Sequence, residues 1–180
     1  MNLSPENAEK IERISSEYKS WIENLTKDEV KAIQKYTLNS HDKEKPNRFF
    51  ERLNRAMRGV YNGSDLEMLQ NYGKILSNAI CKQTISYPIV CYRNLDRNLV
   101  ASVSLGTIFK FNQFVSTSII ESQALKKDFK YVIVVPAGSK GAYIGNLSKY
   151  KEQFEFLLDV SCEYRLIEKG EKRFTLEVVV

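Results

Sequence analysis

The chain has 180 residues, 43% of them hydrophobic and 27% charged, which fits one domain with a real core and argues against disorder. Its formal charge of +5 is spread evenly, +2 over residues 1–86 and +3 over residues 87–180. No basic tail or stripe points to nucleic acid, although mild positive charge suits a phosphate-bearing ligand.

No apolar run approaches membrane-spanning length, and the opening 30 residues alternate charges with single apolar residues, so neither a transmembrane segment nor a secretory signal is expected. Cys81, Cys91 and Cys162 are widely spaced, without a CxxC pair, and His41 is the one histidine. A zinc site and Cys/His or Ser/His catalysis are therefore not expected, and the cysteines read as buried thiols.

In chain order, Ser4-Pro5-Glu6 supplies a cap, a first-turn proline and an acidic residue for an amphipathic helix to about Glu23. Ile11, Ile14, Tyr18, Trp21 and Ile22 form its apolar face. Thr26-Lys27-Asp28-Glu29 is a capping box opening a second helix to about Leu38. His41-Asp42-Lys43-Glu44-Lys45-Pro46 reads as a polar connection. A third helix is expected over about Asn47–Val60, with Phe49, Phe50, Leu53, Met57 and Val60 on one face and Arg48, Arg52 and Arg55 in solvent opposite. Asn54 and Arg58 share its margin, where a cleft would begin; on spacing alone Arg58 reads as a snorkelling edge residue. Asn62-Gly63-Ser64 breaks the chain before a fourth helix to about Lys82.

From Tyr87 the texture turns to β-branched and aromatic runs. Pro88–Tyr92 reads as a buried strand ending at Arg93, and residues 94–112 as loop-rich. Gln113–Ser118 is a second strand, followed by a short helix near Glu121–Lys127. Tyr131–Val135 is a central strand, and Pro136-Ala137-Gly138-Ser139 turns into a strand over Gly141–Ile144. From Gln153 to Leu158 the period is two, placing Phe154, Phe156 and Leu158 on one face and Gln153 and Glu155 on the other. Taken alone, that polar pair is most simply a solvated strand face. Glu163–Glu168 and Arg173–Val180 read as a hairpin. Helices over residues 1–82 followed by strands over 87–180 make an α+β plan, with a mainly antiparallel two-sheet β core in a single domain, 1–180.

Three separated features share an order: Val90-Cys91-Tyr92-Arg93, then Phe114-Val115-Ser116-Thr117-Ser118, then Gln153-Phe154-Glu155. This resembles the Arg…Ser-Thr-Ser…Glu pattern of mono-ADP-ribosyltransferase toxins. Val135–Ile144 is similar to the family's strand before its target-recognition loop, and Leu53–Gly59 to the helix that supplies an asparagine and an arginine to the cofactor phosphates. Gln153 stands where C3-type exoenzymes, which modify an asparagine of Rho-type small GTPases, carry a glutamine; arginine-modifying relatives carry Glu-x-Glu. Tyr150 fills the aromatic position that C3 enzymes place three residues earlier. The chain departs from the C3 pattern at Ser118, where a glutamine is common, and at Leu125, where a phenylalanine is usual.

The resemblance implies the ADP-ribosyltransferase toxin fold, NAD as co-substrate, no metal, and transfer of ADP-ribose to a Rho-family GTPase with NAD glycohydrolase side activity. It implies a secreted bacterial monomer acting in a host cytosol. Glu155 would stabilise positive charge at the anomeric carbon and hold a ribose hydroxyl, with Ser116 orienting it. Arg58 and Arg93 would hold the diphosphate with Asn54 as a neutral partner, while Thr117 and Ser118 shape the strand beside nicotinamide. Gln153 would match an asparagine amide, and Tyr150 would offer an aromatic surface to the target. Another protein target, or a catalytically silent binding module, are the alternatives.

Overall fold

The computed structural model describes residues 3–38 and 48–180; the polar connection at His41–Pro46 and the expected helix start at Asn47 lie outside them. Among the described residues five α-helices come first: α1 (Pro5–Glu17), α2 (Lys19–Glu23), α3 (Lys27–Thr37), α4 (Phe49–Met57) and α5 (Leu66–Ile80). Eight strands follow: β1 (Ile89–Leu95), β2 (Ile108–Lys110), β3 (Val115–Ser118), β4 (Phe129–Val135), β5 (Gly141–Tyr143), β6 (Glu155–Leu158), β7 (Glu163–Lys169) and β8 (Arg173–Val179).

The helix signals hold, with two local corrections. Ser4 accepts from the Asn7 N–H, and Thr26 and Glu29 complete the capping box. The expected first helix is interrupted at Tyr18, between α1 and α2. The break serves burial: Tyr18 donates to the Gly141 carbonyl at 3.0 Å and Trp21 to the Ala79 carbonyl at 2.8 Å, with the two rings edge to face at 5.5 Å. α4 stops before Val60 because Gly59 takes a left-handed φ of 72°. The Gly59 N–H then bonds the Ala56 carbonyl and the Val60 N–H the Arg55 carbonyl, a Schellman ending that presents Arg55 and Arg58 on the last turn.

The strands hydrogen-bond in the order β2-β7-β8-β4-β1-β3-β6-β5, antiparallel except for the β4–β8 pair. The expected two-sheet core is thus one continuous series of eight strands. Its two groups nevertheless meet at a single register pair, Tyr92 with Ser118, between β1 and β3. Below this seam lies a core that includes Cys91, Phe114, Val115, Ile133, Phe156 and Leu158, onto which the helices pack. Cys91 and Cys162 are buried as free thiols, and Cys81 is half-buried.

In the β-rich half, other expectations shift. Arg93 lies within β1 rather than at its end, because β1 continues pairing with β4 through Leu95. The loop-rich segment contains β2, which pairs along the edge of β7. The helix expected near Glu121–Lys127 is one 3-10 turn, Glu121–Gln123.

Candidate active site

The largest correction falls on the Gln153–Leu158 stretch. Gln153 is not in the strand: Lys151–Gln153 form a 3-10 turn, and Phe154 adopts φ 45° and ψ 52° before β6 begins at Glu155. A non-glycine residue in the left-handed region is strained and calls for an explanation. Here it separates two polar side chains that the period-two pattern put on one exposed face. Glu155 enters the sheet and is 5% exposed, whereas Gln153 stays on the turn, half-buried. Both faces of β6 are buried, so the alternation was a poor guide to solvent.

β6 pairs with β3 in a register that sets Ser118 against Glu155 and Ser116 against Leu157. Ser116 Oγ donates a short hydrogen bond to Glu155 Oε1. Arg93, from β1 across the seam, donates to the Ser116 carbonyl, so the arginine braces the residue that orients the glutamate. Thr117 points the other way and donates to the Phe156 carbonyl at 2.7 Å. Ser118 accepts from the Ile120 N–H at 3.1 Å and donates to the Ile120 carbonyl at 2.9 Å, turning the chain at the end of β3.

These groups line a cavity of about 620 Å³ whose wall includes all nine residues singled out from the sequence: Asn54, Arg58, Arg93, Ser116, Thr117, Ser118, Tyr150, Gln153 and Glu155. Its size falls in the ordinary range for ligand pockets. Asn54 is buried and bonded at both ends of its amide: its Oδ1 accepts from the Phe114 N–H at 3.1 Å and its Nδ2 donates to Tyr36 Oη at 3.2 Å. It therefore joins α4 to the start of β3 and to α3. Arg58, the C-cap of α4, donates to Gln113 Oε1. Tyr150 leads into the 3-10 turn, its N–H bonded to Ser148 Oγ at 3.1 Å.

Burial raises the Glu155 pKa above the usual carboxylate value, while the Ser116 hydrogen bond and the Arg93 charge pull it back. Burial likewise lowers the Arg93 guanidinium, partly offset by Tyr36, Tyr164 and Glu155. At the α4 side of the cavity, burial and then the neighbouring Arg97 and Arg55 lower Arg58. Among the described residues, none of Arg55, Arg58 and Arg97 has a carboxylate within salt-bridge distance; Arg48 and Arg52 take Glu51 and Asp65 instead. Three like charges around one cavity wall favour an anion there.

The sequence reading missed several wall residues. Arg55 was placed in solvent, and though exposed it lines the cavity. Arg97 and Gln123 sit in segments with no periodic signal, and Tyr36 read as an ordinary position of its helix. Only a run of unpaired arginines flanking an expected cleft could have hinted at Arg97.

Helices packed on a β core, with Arg93, the Ser116–Ser118 strand and a buried Glu155 meeting at its seam, make up the ADP-ribosyltransferase toxin fold. The chain belongs to the ADP-ribosyltransferase exoenzyme family, whose model matches residues 14–179. Among curated proteins it is 30% identical over 154 residues to the NAD(+)–arginine ADP-ribosyltransferase EFV of Enterococcus faecalis (strain ATCC 700802 / V583), covering 80% of this chain and 29% of that relative's length. Among solved structures it is similar to Plx2a, an ADP-ribosyltransferase toxin from Paenibacillus larvae (20% identity, TM-score 0.76, 97% of each chain). It is equally similar to the C3-type C3stau2 from S. aureus with NAD (20% identity, TM-score 0.76, 99% of this chain and 97% of that one). No helix among the described residues is long and apolar enough to cross a membrane.

Proposed function

We propose that the chain transfers a single ADP-ribose from NAD to an asparagine side chain of a Rho-family small GTPase, and hydrolyses NAD slowly when no target is present. The observation that carries this reading is the hydrogen-bonded series Arg93–Ser116–Glu155 in a cavity also lined by Gln153. NAD fits the chemistry of the wall: a diphosphate beside Arg58 and Arg97 with Asn54 near, and the ribose with its nicotinamide toward Glu155.

The bond to be broken joins nicotinamide to ribose, and its electron pair leaves with the ring. Positive charge then grows at the anomeric carbon, and a fixed carboxylate there stabilises the transition state more than the ground state. Ser116 holds Glu155 in one orientation, so little reorganisation remains at the moment of reaction. The acceptor nitrogen bonds the anomeric carbon and gives its proton to solvent. Gln153 can both donate to and accept from an asparagine amide, and its side chain has no hydrogen-bond partner among the described residues. Tyr150 adds aromatic surface on the approach. The protein is proposed to be a secreted bacterial monomer acting in a host cytosol.

A second reading, modification of an arginine, is favoured by the name of the Enterococcus faecalis relative. Incubation with NAD and a purified Rho-family GTPase, followed by mass spectrometric localisation, separates the two. One ADP-ribose on one asparagine is expected; modification of arginine would replace the asparagine reading. Failure to release nicotinamide under any condition would leave a silent binding module.

A further inference from the structure

We infer that Lys10 is a positioning residue for the Gln153-Phe154-Glu155 turn, acting from the amino-terminal helix through one residue, Ile119; the inference rests on the reading of Glu155 given above. Lys10 reaches from α1 to the seam of the sheet. Its Nζ donates to the Val90 carbonyl of β1 at 2.9 Å and to the Ile119 carbonyl, just beyond β3, at 2.7 Å. The same nitrogen lies 5.7 Å from the centre of the Tyr92 ring. Tyr92 is the β1 member of the one register pair that joins β1 to β3. One ammonium thus ties together the strand that carries Arg93 and the strand that carries Ser116, where the backbone ladder between them is weakest.

The tie extends to the glutamate. Ile119, whose carbonyl Lys10 holds, donates its own N–H, which belongs to the preceding peptide, to the Phe154 carbonyl at 3.1 Å. Phe154 is the left-handed residue that sends Glu155 into the sheet and leaves Gln153 on the turn. Its own N–H bonds the Lys151 carbonyl at 3.2 Å, and beyond it the Glu155 carbonyl accepts from the Ile144 N–H at 3.0 Å. A strained conformation persists only where its surroundings over-determine it, and this is the set of bonds that does so. Holding the Ile119 carbonyl on one side of the residue restrains its backbone torsions, and so keeps the N–H on its other side aimed at the Phe154 carbonyl. A half-buried ammonium is costly unless its donors find acceptors, which Lys10 does with two carbonyls and an aromatic face. Lys10 precedes the stretch matched by the family model. Nothing in helical periodicity distinguishes it from a solvated lysine.

The test is Lys10→Met, which keeps the side-chain length and removes the donors, beside Lys10→Arg, which restores them. Amide hydrogen exchange of the full chain is read at Ile119 and across residues 153–155. It is expected to quicken about tenfold in Lys10→Met, the fold-change of one charge-assisted hydrogen bond, and to recover in Lys10→Arg. In parallel, kcat for NAD hydrolysis is expected to fall about tenfold with KM for NAD nearly unchanged, because orientation of Glu155 matters in the transition state. Exchange equal to wild type at these amides overturns the inference whatever the activity. So does faster exchange with unaltered kcat, or kcat and KM moving together, since either means that Lys10 serves only the fold. If wild-type protein shows no turnover, the reading of Glu155 fails while the exchange comparison still decides the role of Lys10.

Discussion

The two ends of the cavity are built in opposite ways. At the inner end Arg93, Ser116 and Glu155 come from three strands and are bonded in series, with Glu155 buried and the other two half-buried. At the outer end Arg55, Arg58 and Arg97 come from a helix terminus and a turn, repel one another, and face solvent to differing degrees. Charge at the inner end is oriented before substrate arrives, whereas charge at the outer end is merely concentrated. The first arrangement suits chemistry, which rewards preorganisation, and the second suits capture of an anion, which tolerates looseness.

The sharpest way to break that contrast is Glu155→Gln, which preserves shape and removes charge. Loss of a preorganised electrostatic group costs about 10²–10³ in rate, so transfer and NAD hydrolysis should both collapse in single-turnover assays while NAD still binds by calorimetry. Stability should move the other way. A folded-state pKa raised by burial means that ionised Glu155 costs stability, more of it as pH rises through that pKa. At neutral pH the Tm of Glu155→Gln should therefore be no lower than wild type in calorimetry; a clear drop would show that the carboxylate is a structural ion. The same direction of shift predicts that kcat of the wild type declines on acidification at a pH above the ordinary glutamate range.

Arg58→Ala addresses the outer end. A hydrogen bond to a charged group contributes about 1.5–3 kcal/mol, so NAD affinity should weaken roughly tenfold or more. Tm should change little, and unchanged affinity would return Arg58 to the role of an edge residue bonded to Gln113. Gln153→Ala should lose transfer to the protein target while keeping NAD hydrolysis, with Tyr150→Ala following more mildly, since an aromatic contact adds only about 0.5–1.5 kcal/mol beyond its buried area. The ratio of the two activities is the measurement, and a parallel fall in Gln153→Ala would move Gln153 into the catalytic machinery. Smallest of all should be Arg97→Ala: an exposed guanidinium attracts a diphosphate mainly through screened charge. Its effect on NAD affinity should be about twofold at low salt and vanish at high salt; an effect that survives salt would mean a direct contact.

How these residues read from the sequence divides along the same line as the chemistry. Features that depend on neighbours in the chain were legible: the Ser4 and Thr26 caps, the apolar face of α4, the β1 and β4 runs, and the hairpin of β7 and β8. The residues that the fold brings to one cavity were legible too, through the order of three short motifs rather than through any physical property of one. What the chain order could not convey is which pairs meet across the fold. Period two ran straight through Gln153-Phe154-Glu155, yet Phe154 takes a left-handed conformation while the Ile119 and Ile144 N–H groups claim the Phe154 and Glu155 carbonyls. Asn54 is a buried clasp and not a margin residue, because α4 packs against the start of β3. Arg97 and Lys10 carry no local signature at all. A caps-and-periodicity reading registers energies exchanged within a turn of helix or a pair of strand residues, whereas a cavity wall and a seam are sums over contacts between residues far apart in the chain, which exist only once the core has closed.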